Sequence, residues 1–490
     1  MKEDTSEVKV VKNVSISILD AKELTNLLSF VNKFEGKFNY SIHIDVMDNK
    51  FVSNTGVDIS EIKIVKKYGF YTDVHLMVER PIEDGYLEKA LEYGADSITI
   101  HYEIPNFSRV LNYLCEVKKS KNIRIGVSVK PNTSIEKLKE FNEKFDMLLI
   151  MSVEPGLGGQ SFIENTYEKV ECARKMFKDK IIQVDGGVNF KVLSKALEYD
   201  INSYVIGSYI TKSKDYICTL NSIEILHEIL NLPKVKDVKF KDERLHVKNG
   251  GYALNDMYIG ISNIALREFV YHKYKSISLE VLVPFFNSVY HDLRYFALVC
   301  LSYMAKFYNE HENLESLVIF LKLNMQNIDN LEFADIAGES ILGEILLKSS
   351  NRQDILKKFL DCKAFCIKDT EEYAKNHKDV EIDKINEYFD TDRVFERRLG
   401  IISLTRLVEE DYDFCILCIK KVMYDKRLII QKATGIVIEK LYQKNPKDTF
   451  KFLLDANNFE QVPSIVMSYA YVNMNDEERK IIRRGEKGNV

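Results

Sequence analysis

The sequence predicts an α/β chain: a closed (β/α)8 barrel followed by an all-α domain of stacked helical pairs. Three observations carry this. Eight short β-like runs alternate with amphipathic helical stretches over roughly the first 220 residues, the length and rhythm of a (β/α)8 barrel. A charged segment ending in two glycines, KVKDVKFKDERLHVKNGG (234–251), then interrupts that rhythm. Beyond it strand signals nearly vanish, and mostly apolar helical segments recur.

The strand candidates, in order, are VSISIL (14–19), YSIHIDVM (40–47), TDVHLMV (72–78), DSITIHY (96–102), IRIGVSV (123–129), MLLIMSV (147–153), KIIQVDGG (180–187) and SYVIGS (203–208). Helical patterns such as EDGYLEKALEYGA (83–95) and NTYEKVECARKMF (165–177) lie between them, and Gly, Asn and Pro punctuate the strand ends. An open doubly wound sheet usually has fewer strands and a Gly-rich first turn, and no G-x-G-x-x-G follows VSISIL. In the second half, VYHDLRYFALVCLSYMAKFY (289–308), FERRLGIISLTRLVEE (395–410) and IIQKATGIVIEKLYQK (429–444) are apolar helices with polar punctuation. Such helices suit HEAT-class pairs whose neighbours cover each other's faces. The predicted division is a barrel over 1–235, a linker over 236–254 and a helical domain over 255–490.

Composition limits the function classes. The 490 residues are 46% hydrophobic, enough for two cores, and the formal charge of −5 gives no global basic field for nucleic acid. Eight cysteines follow no framework spacing, which suits a reducing compartment. The opening MKEDTSEVKVVKN has no apolar run of the signal-peptide kind, and no segment reaches the ~18–20 apolar residues of a membrane span. A cytoplasmic chain without membrane contact is expected.

The chemistry is expected at the C-terminal ends of the strands, where barrel active sites sit. In SIHIDVMDNK (41–50), side chains alternate between two faces. Ile42, Ile44 and Val46 form an ordinary packing face, whereas His43, Asp45 and Met47 share the other. The first strand ends at Ser17, the third carries His75 and Met77, and the sixth gives Met151 followed by EPGLGGQSF (154–162). The seventh ends in Asp185, Gly186 and Gly187, and the eighth in Gly207 and Ser208. A lone His-x-Asp is most often structural. Two His and two Asp at the correct strand ends make a ligand set for one divalent ion of the Zn, Fe, Mn or Co kind. Met47, Met77 and Met151 would line a weakly polar floor, and Asp48 reads as a turn residue.

Residues ~14 to 228 resemble ribulose-phosphate 3-epimerases, barrels of the ribulose-phosphate-binding type. The resemblance rests on SIL (17–19), HIDVMD (43–48) followed by Phe51, Val52 and Asn54, DVHLMV (73–78), IHYE (100–103), PGLGGQSF (155–162), VDGGVN (184–189) and GS (207–208), in the family's order and spacing. It implies metal ligands at His43, Asp45, His75 and Asp185, with Asp45 and Asp185 as the proton acceptor and donor. It implies substrate contacts at Ser17, His75, the loop Gly156, Leu157, Gly158 and Gly159, and at Gly186, Gly187, Gly207 and Ser208. The implied reaction removes a proton alpha to the C2 carbonyl of a phosphorylated ketose and returns one on the opposite face, through an enediolate whose charge the cation holds. Backbone N–H groups near Gly186–Gly187 and Gly207–Ser208 would cradle the phosphate, and PGLGGQ would close over substrate. The sequence departs from the family at Asn49, Ser53, Leu157, the EYDIN segment (198–202) and Asp20, which stands where the family has Ser. Ribulose 5-phosphate is the expected substrate. A six-carbon ketose phosphate would use the same machinery, and a binding protein using the barrel as scaffold is the rival from another class.

Residues ~255 to 484 resemble the DNA alkylation repair family of HEAT-like DNA glycosylases. The matching runs are YIGISNIALREF (258–269), YHDLRYFALVCL (290–301), NLEFADIAGESILGE (330–344), FERRLGIISL (395–404) and QKATG (431–435). The family's catalytic carboxylate falls on Asp335 and a DNA-contacting arginine on Arg398. Its two tryptophans fall on Leu331 and Ile436, and the chain has no tryptophan at all. Leu and Ile cannot hold a cationic base by stacking, so loss of glycosylase activity is expected. Basic residues between Arg393 and Lys432 would form either a weak nucleic-acid contact or a solvated face, and a protein-interaction surface is the alternative. Cys415 and Cys418, with Cys362 and Cys366, read as core packing rather than a zinc site. A homo-oligomer is expected.

Overall fold

The computed structural model describes residues 13–195, 198–235, 256–307, 314–360, 394–459 and 462–484. The predicted linker, 236–254, lies outside the described residues. The chain divides into two compact units, Met1–Leu232 and Pro233–Val490.

The first unit is built on eight parallel strands: β1 (Asn13–Ser17), β2 (Asn39–Met47), β3 (Tyr71–Met77), β4 (Ser97–His101), β5 (Arg124–Val129), β6 (Met147–Met151), β7 (Ile181–Asp185) and β8 (Ser203–Ile206). They pair in sequence order, and β8 closes on β1. Each expected strand is present, and most end one or two residues short of the predicted run because the chain turns out of the sheet toward the mouth. The alternation in the sequence explains the closure. Ile16, Ile42, Ile44, Val74, Ile98, Ile100 and Ile150 are buried on the outward face, under the helices.

The covering elements are α1 (Leu24–Lys33), α2 (Glu61–Lys67), α3 (Tyr86–Tyr93), α4 (Phe107–Lys118), α5 (Thr166–Met176), α6 (Phe190–Ser194), α7 (Ser208–Thr211) and α8 (Tyr216–Leu230), with a 3-10 stretch at Ile135–Lys144 between β5 and β6. Their amphipathic spacing buries Leu27, Leu28 and Val31 on α1 and Val110, Leu111 and Leu114 on α4. Each such side chain contributes about 1.5–3 kcal/mol on burial. On α8, buried Glu224 accepts hydrogen bonds from the Lys37 and Phe38 amides and from the Tyr40 hydroxyl, which fixes the entry into β2. Register then decides what shares the barrel interior. Ser17 pairs with His43, Asp45 with His75, Met47 with Met77, and Met151 with Asp185.

The described residues of the second unit are helical apart from isolated bridges. Its long central helices, His291–Lys306, Val394–Leu407 and Leu428–Lys444, are buried along most of their length. Such helices have neighbours on both sides, as in stacked helical repeats. Cys415 and Cys418 are buried on one of the helices, and burial pushes their thiols up to about 12 and about 11. Both sit as packing groups; Cys362 and Cys366 lie outside the described residues. Among the described residues no helix is long and apolar enough to cross a membrane.

Candidate active site

The inward row of β2 meets those of β3 and β7 at the C-terminal mouth of the barrel. Parallel register and period-two alternation bring His43, Asp45, His75 and Asp185 into one cluster, with ligand atoms all within 4.8 Å of one another. His43 Nε2 is buried, takes no hydrogen bond, and lies 3.3 Å from Asp45 Oδ1 and 3.7 Å from Asp185 Oδ2. His75 Nδ1 lies 3.2 Å from Asp45 Oδ1 and 3.7 Å from Asp185 Oδ2. An uncommitted imidazole nitrogen facing two carboxylates is the donor set a divalent ion needs, and ligands ~2.0–2.2 Å from one ion span a similar space. The residues present therefore fit one divalent metal.

Electrostatics separate the two carboxylates. Burial opposes charge on Asp45, but the His43 and His75 imidazoles outweigh it and hold this carboxyl far below the usual range. For Asp185 burial and the nearby Asp45 charge act together and raise it to about 6. Burial works against a charged His43, yet the Asp45 and Asp73 carboxylates raise its pKa well above the ordinary value. A cation bound here takes the place of that positive charge.

A supporting shell orients both imidazoles. His43 Nδ1 lies 2.9 Å from Asp73 Oδ2, which also accepts from Ser15 Oγ at 3.1 Å and Gln183 Nε2 at 3.0 Å. His75 Nε2 lies 3.0 Å from His101 Nε2, and His101 Nδ1 lies 3.2 Å from Glu103 Oε2. Burial lowers His101 to about 4, so this ring is neutral. Burial opposes ionisation of Glu103, but hydrogen bonds from His101 and Thr133 outweigh it and hold the carboxyl at about 2. The protons then have one consistent arrangement. His101 donates from Nδ1 to Glu103 and accepts at Nε2 from His75, so Nδ1 is the His75 nitrogen that faces the cluster, where a bound cation would take its lone pair. Sequence reasoning assigned no role to Asp73, His101 or Glu103. The signal was present for two of them, because Asp73 shares the inward face with His75 and His101 ends the inward row of β4.

Above the cluster opens a cavity at the mouth of the barrel. Its lining includes Ser17, Asp45, Met47, Met77, Met151, Gly156, Leu157, Gly158, Gly159, Asp185, Gly186, Gly187, Gly207 and Ser208. Ser17 Oγ donates to Asp45 Oδ2 at 2.8 Å, fixing the orientation of that carboxylate. Met47 and Met77 pack with Val52, and Met151 with Leu149, Val153 and Val205, so the thioethers are both floor and core. Gly187 has φ +62°, and a Cβ there would meet Gln160 O at 2.7 Å, so the backbone approaches the 155–162 loop more closely than any other residue allows. The Asn54 side chain donates to Gly156 O at 2.7 Å and tethers the loop, while Leu157 at its tip is 65% exposed. Asp48 is a turn residue, accepting from the Lys50, Phe51 and Glu79 amides. Asn49, at φ 56°, occupies a left-handed position that Asn tolerates nearly as well as Gly.

In the second unit Arg398 is buried and grips Asp335 with two bonds of 2.7 Å, Nε to Oδ1 and a terminal nitrogen to Oδ2. Its remaining terminal nitrogen donates to Ile429 O at 2.9 Å. Arg397 and Arg427 both pair with the single carboxylate of Asp425, so each is held by a partner within the fold. Arg393 lies outside the described residues. Phe333 is fully buried and stacks on His291 at 4.4 Å.

Residues 13–211 match the family described as "Ribulose-phosphate 3 epimerase family", and residues 246–368 and 364–474 match "DNA alkylation repair enzyme". Among curated relatives, a ribulose-phosphate 3-epimerase of Schizosaccharomyces pombe is 34% identical over 172 residues, covering 34% of this chain and 73% of its own. That of Bacillus subtilis is 33% identical over 181 residues, covering 36% of this chain and 81% of its own. The cytoplasmic isoform from Oryza sativa is 35% identical over 175 residues, 34% of this chain and 74% of its own. All three matches are long enough to span most of the relative and short enough to fit within the first unit. Through its barrel, the chain belongs to the ribulose-phosphate 3-epimerase family.

Proposed function

We propose that the barrel epimerises a phosphorylated ketose at C3, converting D-ribulose 5-phosphate to D-xylulose 5-phosphate. The observation that carries this is the pair of carboxylates, Asp45 and Asp185, whose pKa values are pushed in opposite directions within one buried cluster at the floor of a glycine-lined cavity. Environments that push two acids apart in this way assign the base and the acid.

Asp45, ionised, takes the proton from C3, and the electron pair left on carbon moves toward the C2 oxygen. Asp185, protonated, returns a proton to C3 from the other side, and the epimer results. The reverse reaction starts with the roles exchanged. Ser17 keeps Asp45 aimed by donating to its second oxygen. When bound by His43, Asp45, His75 and Asp185, a single divalent ion of the Zn, Fe, Mn or Co class supplies positive charge against the charge developing on the substrate oxygens. The thioethers of Met47, Met77 and Met151 keep water from competing for that charge. Backbone amides at Gly186–Gly187 and Gly207–Ser208 hold the phosphate, and the Gly156–Gly159 loop covers it.

The test is epimerisation and solvent-deuterium exchange at C3 of ribulose 5-phosphate. Asp45→Asn and Asp185→Asn should each lower turnover by at least about 10³-fold, since each removes a proton carrier and an anionic ligand. Near-wild-type turnover in either variant would overturn the mechanism. For the helical unit we propose a binding role without base excision, supported by Leu331 and Ile436 and by the commitment of Arg398 to Asp335.

A further inference from the structure

The cavity read above as a phosphate pocket contains a feature that opposes an anion. Asp20, in the turn after β1, lines it together with Gly158, Gly159, Gly187, Gly207 and Ser208. No Lys or Arg is among the described residues lining this cavity. A carboxylate facing a phosphate dianion is repulsive unless a cation stands beside it. That cation is Lys212. It follows α7 directly, and its amide donates to Ser208 O at 3.0 Å, so its backbone is one turn from the Gly207–Ser208 cradle. Its side chain reaches back over the loop, with Nζ 3.0 Å from Asp20 Oδ2 and 3.0 Å from where a Cβ on Gly159 would sit. A Cβ on Gly158 would strike the Asp20 carboxylate, so the loop lies directly against the ion pair. The lysine side chain is 56% exposed and the carboxylate 27% exposed, so the ammonium is free to change partner.

We propose that Lys212 is a specificity-determining residue for the phosphate end of the substrate. In the free protein Asp20 holds it at the rim of the pocket. When a phosphate dianion enters, the ammonium moves from the carboxylate to the phosphate oxygens and adds a charge-assisted hydrogen bond to the backbone cradle. Asp20 thereby has two effects: it positions the lysine beside the loop, and it competes with the ligand for it. Affinity for phosphorylated ligands is set by this competition, and the sign of each residue's contribution follows. Removing the lysine weakens phosphate binding, whereas neutralising the aspartate strengthens it.

This rests on the phosphate-pocket reading, and the experiment separates the two. The metal-loaded full chain is assayed for KM with ribulose 5-phosphate and for inhibition by inorganic phosphate, and phosphate binding is also followed by calorimetry, which needs no turnover. Lys212→Met should raise KM and the inhibition constant together by about tenfold, the loss of one charge-assisted contact. Asp20→Asn should lower the phosphate inhibition constant several-fold, and adding Lys212→Met should erase that gain. A general structural defect would not give opposite signs in the two single variants. Unchanged phosphate affinity in Lys212→Met, or weaker affinity in Asp20→Asn, would overturn the proposal. If the wild type fails to epimerise yet calorimetry shows phosphate binding with these signs, the assignment of Lys212 stands and the epimerase reading falls.

Discussion

At the scale of single residues, the site is governed by where protons reside before a cation arrives. Asp185 has a raised pKa of about 6 and His43 one well above its ordinary value, whereas Asp45 is held far below the carboxylate range. A cation must displace the proton that the raised pKa favours on His43, and below about 6 it must also displace the one on Asp185. Apparent metal affinity should therefore rise with pH, and more steeply below pH ~6 than above it. Metal titration of the stripped protein from about pH 5 to about pH 8 reads both slopes, and Asp185→Asn should remove the steeper one. The supporting shell has its own signature. Glu103 fixes His101, and His101 fixes the tautomer of His75. Glu103→Gln keeps the shape but lets the proton order reverse, so metal affinity should fall about 10–100-fold. An unchanged dissociation constant would show that this chain of hydrogen bonds does not orient the ligand.

At the scale of elements, the helix that carries Asp335 shows what a likeness in sequence leaves open. Asp335 and Arg398 are both present, but each is the other's partner, and the arginine is also tied to the Ile429 carbonyl. The one ring close to Asp335 in sequence, Phe333, is buried against His291 with the Arg294 guanidinium 5.0 Å above it. It cannot replace a lost tryptophan without leaving the core. The terms forgone are ~0.5–2 kcal/mol for a cation–π contact and ~1–3 kcal/mol for stacking on a base. Incubation with DNA carrying 7-methylguanine should yield no abasic sites above the spontaneous rate, and release that vanishes in Asp335→Asn would reverse this expectation. The same elements show what was legible beforehand. All eight strands could be read, because period-two alternation with apolar Ile and Val outward is a strong pattern. The four-residue cluster followed, because the barrel rule fixes which strand end is functional. Asp73 and His101 share those inward rows, but alternation shows only the face and not the partner. The pairing of Asp20 with Lys212 joins opposite ends of the barrel sequence and had no local signal. In the second unit Val394–Leu407 is buried nearly all round, so periodicity showed a helix but not its neighbours.

At the scale of the whole molecule, the chemistry proposed for the barrel draws on one unit alone. Every cluster residue, its supporting shell, and the lining of the cavity fall between Ser15 and Lys212, inside Met1–Leu232. The sheet has no open edge, because β8 pairs with β1, and α8 closes the unit by burying Leu220, Ile223, Leu226 and Ile229 before Leu232. A closed sheet with its own helical cover satisfies the hydrogen-bonding and burial requirements of a domain without help from outside. A fragment ending at Leu232 should therefore unfold in one cooperative transition. It should bind a divalent ion as tightly as the full chain and turn over ribulose 5-phosphate within about twofold of it. Truncation earlier, at Asp215, should fail on every count. It removes α8, and with it the Glu224 contacts that set the start of β2, the strand carrying two of the four ligands. The measurements are thermal unfolding, metal titration and epimerisation of the two fragments beside the full chain. If the longer fragment folds and binds metal but does not epimerise, the second unit takes part in the reaction, and a catalytic site complete within the barrel would have to be abandoned.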